Sequence, residues 1–117
     1  MHLDHMSSKL ELKKNKEILK EIKRVIMDVA KEMGIEIDKI ILFGSRARGH
    51  YKEDSDWDIL VVTRRKLDRK TKIKLIIKIH KELVKRFLEP FDVVTLGRDE
   101  KLHLQFIQTI LKEGVII

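Results

Sequence analysis

Lys39-Ile40-Ile41-Leu42-Phe43-Gly44-Ser45-Arg46-Ala47-Arg48-Gly49, continued after His50-Tyr51-Lys52-Glu53 by Asp54-Ser55-Asp56-Trp57-Asp58-Ile59-Leu60-Val61-Val62, sets two short apolar runs on either side of a polar loop. Lys39 to Phe43 is too short for a helix and rich in strand formers, which predicts a buried strand. Gly44 to Ser55 carries two glycines and no apolar period, so it reads as a functional loop with room for one short helical turn. Trp57 to Val62 is a second strand.

Upstream, Ile18, Ile22, Val25, Ile26, Val29 and Met33 recur at helical spacing, and Gly34 stands where a left-handed cap belongs. Ser8-Lys9-Leu10-Glu11 has the form of a capping box, which predicts the start of this helix. A second methionine, Met6, suggests a native start there, with residues 1–6 set apart as an expression remnant and 7–117 as one domain. Downstream, Ile73, Ile76, Ile79, Leu83 and Phe87 predict a second helix over about 69–88, stopped by Pro90. Phe91 to Leu96 is a third strand. Leu102, Phe106, Ile107, Ile110 and Leu111 point inward from a last helix over about 100–113, with Gly114 as its stop. Val115-Ile116-Ile117 is either a short strand or a contact for a partner. The order helix, strand, strand, helix, strand, helix predicts an α/β (α+β-like) domain: a small mixed sheet of three to four strands flanked by helices.

Asp56 and Asp58 are two apart on a strand and so share a face, while Trp57, Ile59 and Val61 take the other and can cover a helix. Two neighbouring carboxylates repel unless a cation sits between them. Hard oxygen donors on a rigid strand suit Mg²⁺, which takes one or two carboxylates and completes its shell with water and phosphate oxygens. Asp92, alone among apolar residues at the start of the third strand, converges on the same point if that strand lies beside the second. Three aspartates could then hold two magnesium ions against the attacking and leaving oxygens of a phosphoryl displacement. Gly44 lets backbone amides approach a phosphate, Ser45 adds a hydroxyl donor, and Arg46 and Arg48 offer guanidinium forks. A nucleoside triphosphate, ATP or another NTP, would lie between loop and metals. Taken singly, each piece has a plainer reading: a turn, a solvated strand edge, a carboxylate paired with a lysine. Their joint placement on successive strands favours the chemical one.

Two other motifs fail on residues alone. Gly44 to Gly49 has the G-x-x-x-x-G frame of a P-loop, but His50 and Tyr51 stand where Lys and Ser/Thr are required. Asp54, Asp56 and Asp58 open like a calcium-binding EF-hand loop, but Ile59 and Arg65 replace its glycine and its twelfth-position glutamate.

Gly44-Ser45, a spacer of ten residues (46–55), then Asp56-Trp57-Asp58 resembles the signature of the nucleotidyltransferase superfamily typified by DNA polymerase beta. More closely, G-S-R-A-R-G followed by D-S-D-W-D-I-L-V resembles the minimal nucleotidyltransferase (MNT) family, over roughly residues 39–96. The resemblance implies a nucleotidyltransferase fold, metal binding by Asp56 and Asp58, and Asp92 completing the site and helping to deprotonate the attacking hydroxyl. It implies that Gly44 and Ser45 hold the terminal phosphates. It further implies a protein partner, a HEPN-type toxin, for which such proteins act as antitoxins, in some cases by adenylylating it. The expected reaction is transfer of AMP from ATP to a hydroxyl of that partner. The alternatives are an antitoxin acting by contact alone, and a basic RNA-binding domain.

Composition narrows these. The 117 residues carry 43% hydrophobic and 38% charged residues, one proline and no cysteine. Thiolate metal sites, disulfides and a cysteine nucleophile are thereby excluded. No apolar run approaches the length of a membrane span, and no leader is evident, so a cytoplasmic location with no membrane partner is expected. Lys and Arg outnumber Asp and Glu by 26 to 19, a net of +7. A solvated Lys/Glu surface, also typical of thermophiles, is favoured over an RNA-binding face. The cluster Arg64-Arg65-Lys66 with Arg69, Lys70 and Lys72 could meet an acidic partner or RNA. His50, His80, His103 and Tyr51 are read as surface or loop residues, and Trp57 as a core anchor. Three intact carboxylates favour an enzyme over a pure binder.

Overall fold

The computed structural model describes residues 2–48, 55–100 and 104–117, with side chains described from 15 onward except at 48, 104, 105, 107 and 111. The elements run α1 (His2–Glu32), β1 (Ile37–Phe43), α2 (Ser45–Arg48), β2 (Trp57–Thr63), α3 (Arg69–Phe87), β3 (Phe91–Gly97), α4 (Leu104–Glu113) and β4 (Val115–Ile116). Four strands form one sheet in the order β3-β2-β1-β4. β1 pairs antiparallel with β2 and β4, and β2 pairs parallel with β3, with α3 as the crossover.

Alternation along the strands builds a core on each face. Ile40 and Leu42, with Trp57, Ile59 and Val61, face α1 and α3, and meet Ile22, Val25, Ile26 and Val29 of α1 and Leu75, Ile79 and Leu83 of α3. Ile41, Leu60, Val62 and Leu96 face the other way and pack with Ile110 of α4. Each fully buried leucine or isoleucine contributes about 1.5–3 kcal/mol relative to exposure. Phe43 and Phe106 extend the second cluster, ring edge to ring face at 5.9 Å.

Two sequence expectations are corrected. The first helix begins at His2, so Ser8 and Glu11 lie within it rather than at its start. Its end agrees with the glycine: Gly34 has φ +71° and Ile35 N–H donates to the Ala30 carbonyl at 2.8 Å. On α3, Ile73 is 46% exposed, while Leu75, not expected inward, is fully buried. This helix is apolar at 73, 75, 76, 77 and 79, so its period is compatible with more than one rotation, and packing against α1 selects the Leu75-Ile79-Leu83 line. The last helix is described over Leu104–Glu113, and Leu102 lies outside the described residues. The C-terminal residues are a strand: Val115 and Ile116 pair with Leu42 and Ile41, and Ile117 N–H donates to the Ile40 carbonyl at 3.0 Å. No helix among the described residues is long and apolar enough to cross a membrane.

Candidate active site

Asp58 and Asp92 are register partners on the parallel strands β2 and β3. Side chains at partner positions of a sheet share a face, here the α4 face, at the roughly 4.8 Å spacing of neighbouring strands. Asp58 is half-buried and Asp92 exposed, so the pair opens to solvent at the end of the sheet where both strands begin. Asp56 is exposed and immediately precedes β2. The Trp57 N–H donates to the Pro90 carbonyl at 3.0 Å, which ties the start of β2 to the entry of β3 and so fixes the two carboxylates relative to each other.

Gly44 follows β1, whose Phe43 is the antiparallel partner of Asp58. It adopts φ +77°, and a Cβ built there would overlap Asp58 Oδ2 and stand 3.0 Å from Asp58 Cγ. Only glycine lets the backbone press this closely on the carboxylate while holding a left-handed conformation. Ser45 opens the single turn of α2, closed by the Ala47 N–H donating to the Gly44 carbonyl at 3.1 Å. The fold therefore brings Gly44, Ser45, Asp58 and Asp92 to one end of the sheet, with Asp56 beside them.

Arg46 is not brought to the carboxylates. Its guanidinium lies 4.2 Å from the ring centroid of Trp57, on the opposite face of β2, and its side chain is only 6% exposed. Arg46 Nε donates to the Ser55 carbonyl at 3.1 Å, and Arg46 Nη2 stands 3.9 Å from Glu89 Oε1. Glu89 in turn accepts from Trp57 Nε1 at 2.8 Å. The arginine that the sequence suggested for phosphate is thus a clamp joining α2, the approach to β2 and the turn before β3. Sequence spacing gave no sign of Glu89; the one signal was chemical, since a buried indole N–H requires an acceptor. Arg48's side chain, Gly49, His50, Tyr51, Asp54 and His103 lie outside the described residues. His80 is exposed on α3.

For a divalent ion, the donors available are hard carboxylate oxygens. Among the described residues no three His, Cys, Asp or Glu side chains form a ready cage. Asp56, Asp58 and Asp92, expected from sequence to share two ions, are therefore not gathered into one three-carboxylate cage.

A mixed sheet carrying a glycine-serine turn against paired strand-borne aspartates defines a small nucleotidyltransferase. The family model for polymerase beta nucleotidyltransferases matches residues 20–117. A proposed protein adenylyltransferase of Methanocaldococcus jannaschii, MJ0141, is 36% identical over 78 residues, 67% of this chain and 71% of that protein. A second from the same organism, MJ0604, is 32% identical over 100 residues, 84% of this chain and 95% of its own length. Among solved structures, one described as a proposed minimal nucleotidyltransferase superposes with a TM-score of 0.61 at 21% identity, covering 86% of this chain and 94% of that one. A toxin–antitoxin solved with AMP-PNP gives 0.58 at 24%, covering 80% and 69%. A tri-AMPylated HEPN toxin of Shewanella oneidensis in complex with its MNT antitoxin gives 0.53 at 21%, covering 83% and 69%. The chain belongs to the polymerase beta nucleotidyltransferase family.

Proposed function

We propose that this nucleotidyltransferase moves AMP from magnesium-bound ATP to a hydroxyl of a partner protein, and that it does so as the antitoxin of a HEPN/MNT toxin–antitoxin pair. The observation that carries the reading is the registered pair Asp58–Asp92 with Gly44 pressed against Asp58. The two curated relatives, both described as proposed protein adenylyltransferases, and the fold shared with antitoxins of such complexes support it.

In this reading Asp56 and Asp58 would hold the magnesium, with Asp92 completing the set. Magnesium bound there would neutralise the triphosphate charge and polarise the reacting phosphoryl group. Gly44 and Ser45 hold the terminal phosphates through backbone amides and the hydroxyl. The acceptor oxygen bonds to the α-phosphorus, the bond from that phosphorus to the bridging oxygen breaks, and pyrophosphate leaves. Asp92, the more exposed of the registered pair, takes the hydroxyl proton.

The test is incubation with Mg²⁺ and labelled ATP, with and without the product of a neighbouring gene, read by intact mass. Gain of one AMP on the partner, reduced at least about a hundredfold in rate by Asp58→Asn, is the expected result. Tight complex formation with no transfer from any NTP would replace the enzyme by an antitoxin acting through contact.

A further inference from the structure

Helix α3 carries eight basic residues and one acidic one, a net of +7 that equals the net charge of the whole chain. Among the described residues only two of the eight are ion-paired: Lys78 with Glu32 and Arg86 with Glu21. Arg69, Lys70, Lys72, Lys74, Lys81 and Lys85 have no acidic ion-pair partner among the described residues. Three of these stand in the first turn, where the helix dipole disfavours positive charge and Asp68 is the lone compensating acid. Such an arrangement works against the helix's own stability.

The same helix leaves apolar surface in solvent. Ile73 and Ile77, one turn apart, are 46% and 59% exposed. Leu88, which caps the helix, is 84% exposed and holds φ +55°, a left-handed conformation ordinarily given to glycine or asparagine. Only three residues separate Phe87 from the start of β3, so this end of the helix lies at the end of the sheet that bears Asp92.

We propose that the outer face of α3, on the layer of the sheet opposite the aspartates, docks an acidic amphipathic helix of the acceptor protein and so holds that protein on this domain. This rests on the reading that the acceptor is a protein. Charge complementarity selects an acidic partner, and the exposed isoleucines select one with an apolar stripe at helical spacing. A nucleic acid has no use for Ile73 and Ile77, and α3 exposes no Phe, Tyr or Trp on which bases could stack.

The test uses the full chain without nucleotide, so its failure is separable from failure of the transferase reading. A fluorescent helical peptide of about twenty residues, with leucines along one stripe and glutamates flanking it, is titrated by anisotropy at low and moderate salt. Binding is expected to weaken at least about tenfold on Lys74→Glu/Lys81→Glu and, separately, on Ile73→Ser/Ile77→Ser, with circular dichroism unchanged. Absence of peptide binding overturns the proposal. So does equal binding of polyglutamate, or a single-stranded RNA bound more tightly and indifferent to Ile73→Ser/Ile77→Ser.

Discussion

Replacing Gly44 by alanine probes the site through a single methyl group, and Gly34→Ala supplies its control. Both glycines hold left-handed backbone, at φ +77° and +71°. Alanine in that region costs about 1–2 kcal/mol. For a chain of this length that lowers Tm by about 4–8 °C. At position 34 nothing lies within 4 Å of the added Cβ, so the backbone cost is the whole effect. At position 44 the Cβ overlaps Asp58 Oδ2. That oxygen must retreat by about 1 Å or more, and a misplacement of that size costs on the order of a hundredfold in rate. The assay pairs thermal denaturation with AMP transfer under Mg²⁺ and ATP. Both variants should lose comparable stability, whereas only Gly44→Ala should lose about a hundredfold in kcat. Full activity in a folded Gly44→Ala protein would refute the idea that Gly44 keeps Asp58 in its working position.

Arg46→Lys keeps a charge but loses the planar stack on Trp57 and the Nε bond to Ser55, so it should destabilise the site by about 1–2 kcal/mol. Trp57 is the chain's one tryptophan, and its fluorescence should report the change directly. Leu83→Ala should cost about 2–5 kcal/mol in urea unfolding, while Ile73→Ala should stay within about 0.5 kcal/mol, the reverse of equal burial. Glu21 accepts from Arg24 and Arg86, and these bonds hold its carboxyl below the ordinary carboxylate range. A depressed folded pKa stabilises above the unfolded value and is lost as pH falls through the folded one. Acidification below the usual Glu range should therefore loosen α1 from α3, and Glu21→Gln should flatten part of that loss in a Tm-versus-pH series.

The strands and the helix spacing of Ile22 to Val29 were legible in sequence, because each depends on a period local to its element. So was the glycine-serine turn, since the residue types carry their own backbone preferences. The resemblance to nucleotidyltransferases rested on the same local spacing. What needed the tertiary structure was every relation between elements. Asp92 is the register partner of Asp58 only because β3 lies parallel beside β2, and no property of Phe91 to Leu96 sets its neighbour. Gly44 meets Asp58 because antiparallel pairing sets Phe43 opposite it. Arg46 turned to Trp57 and Glu89 because a buried ring face and a carboxylate from a distant turn were waiting there. The rotation of α3 followed from its contact with α1, since an apolar helix with several eligible faces takes its orientation from what it packs against.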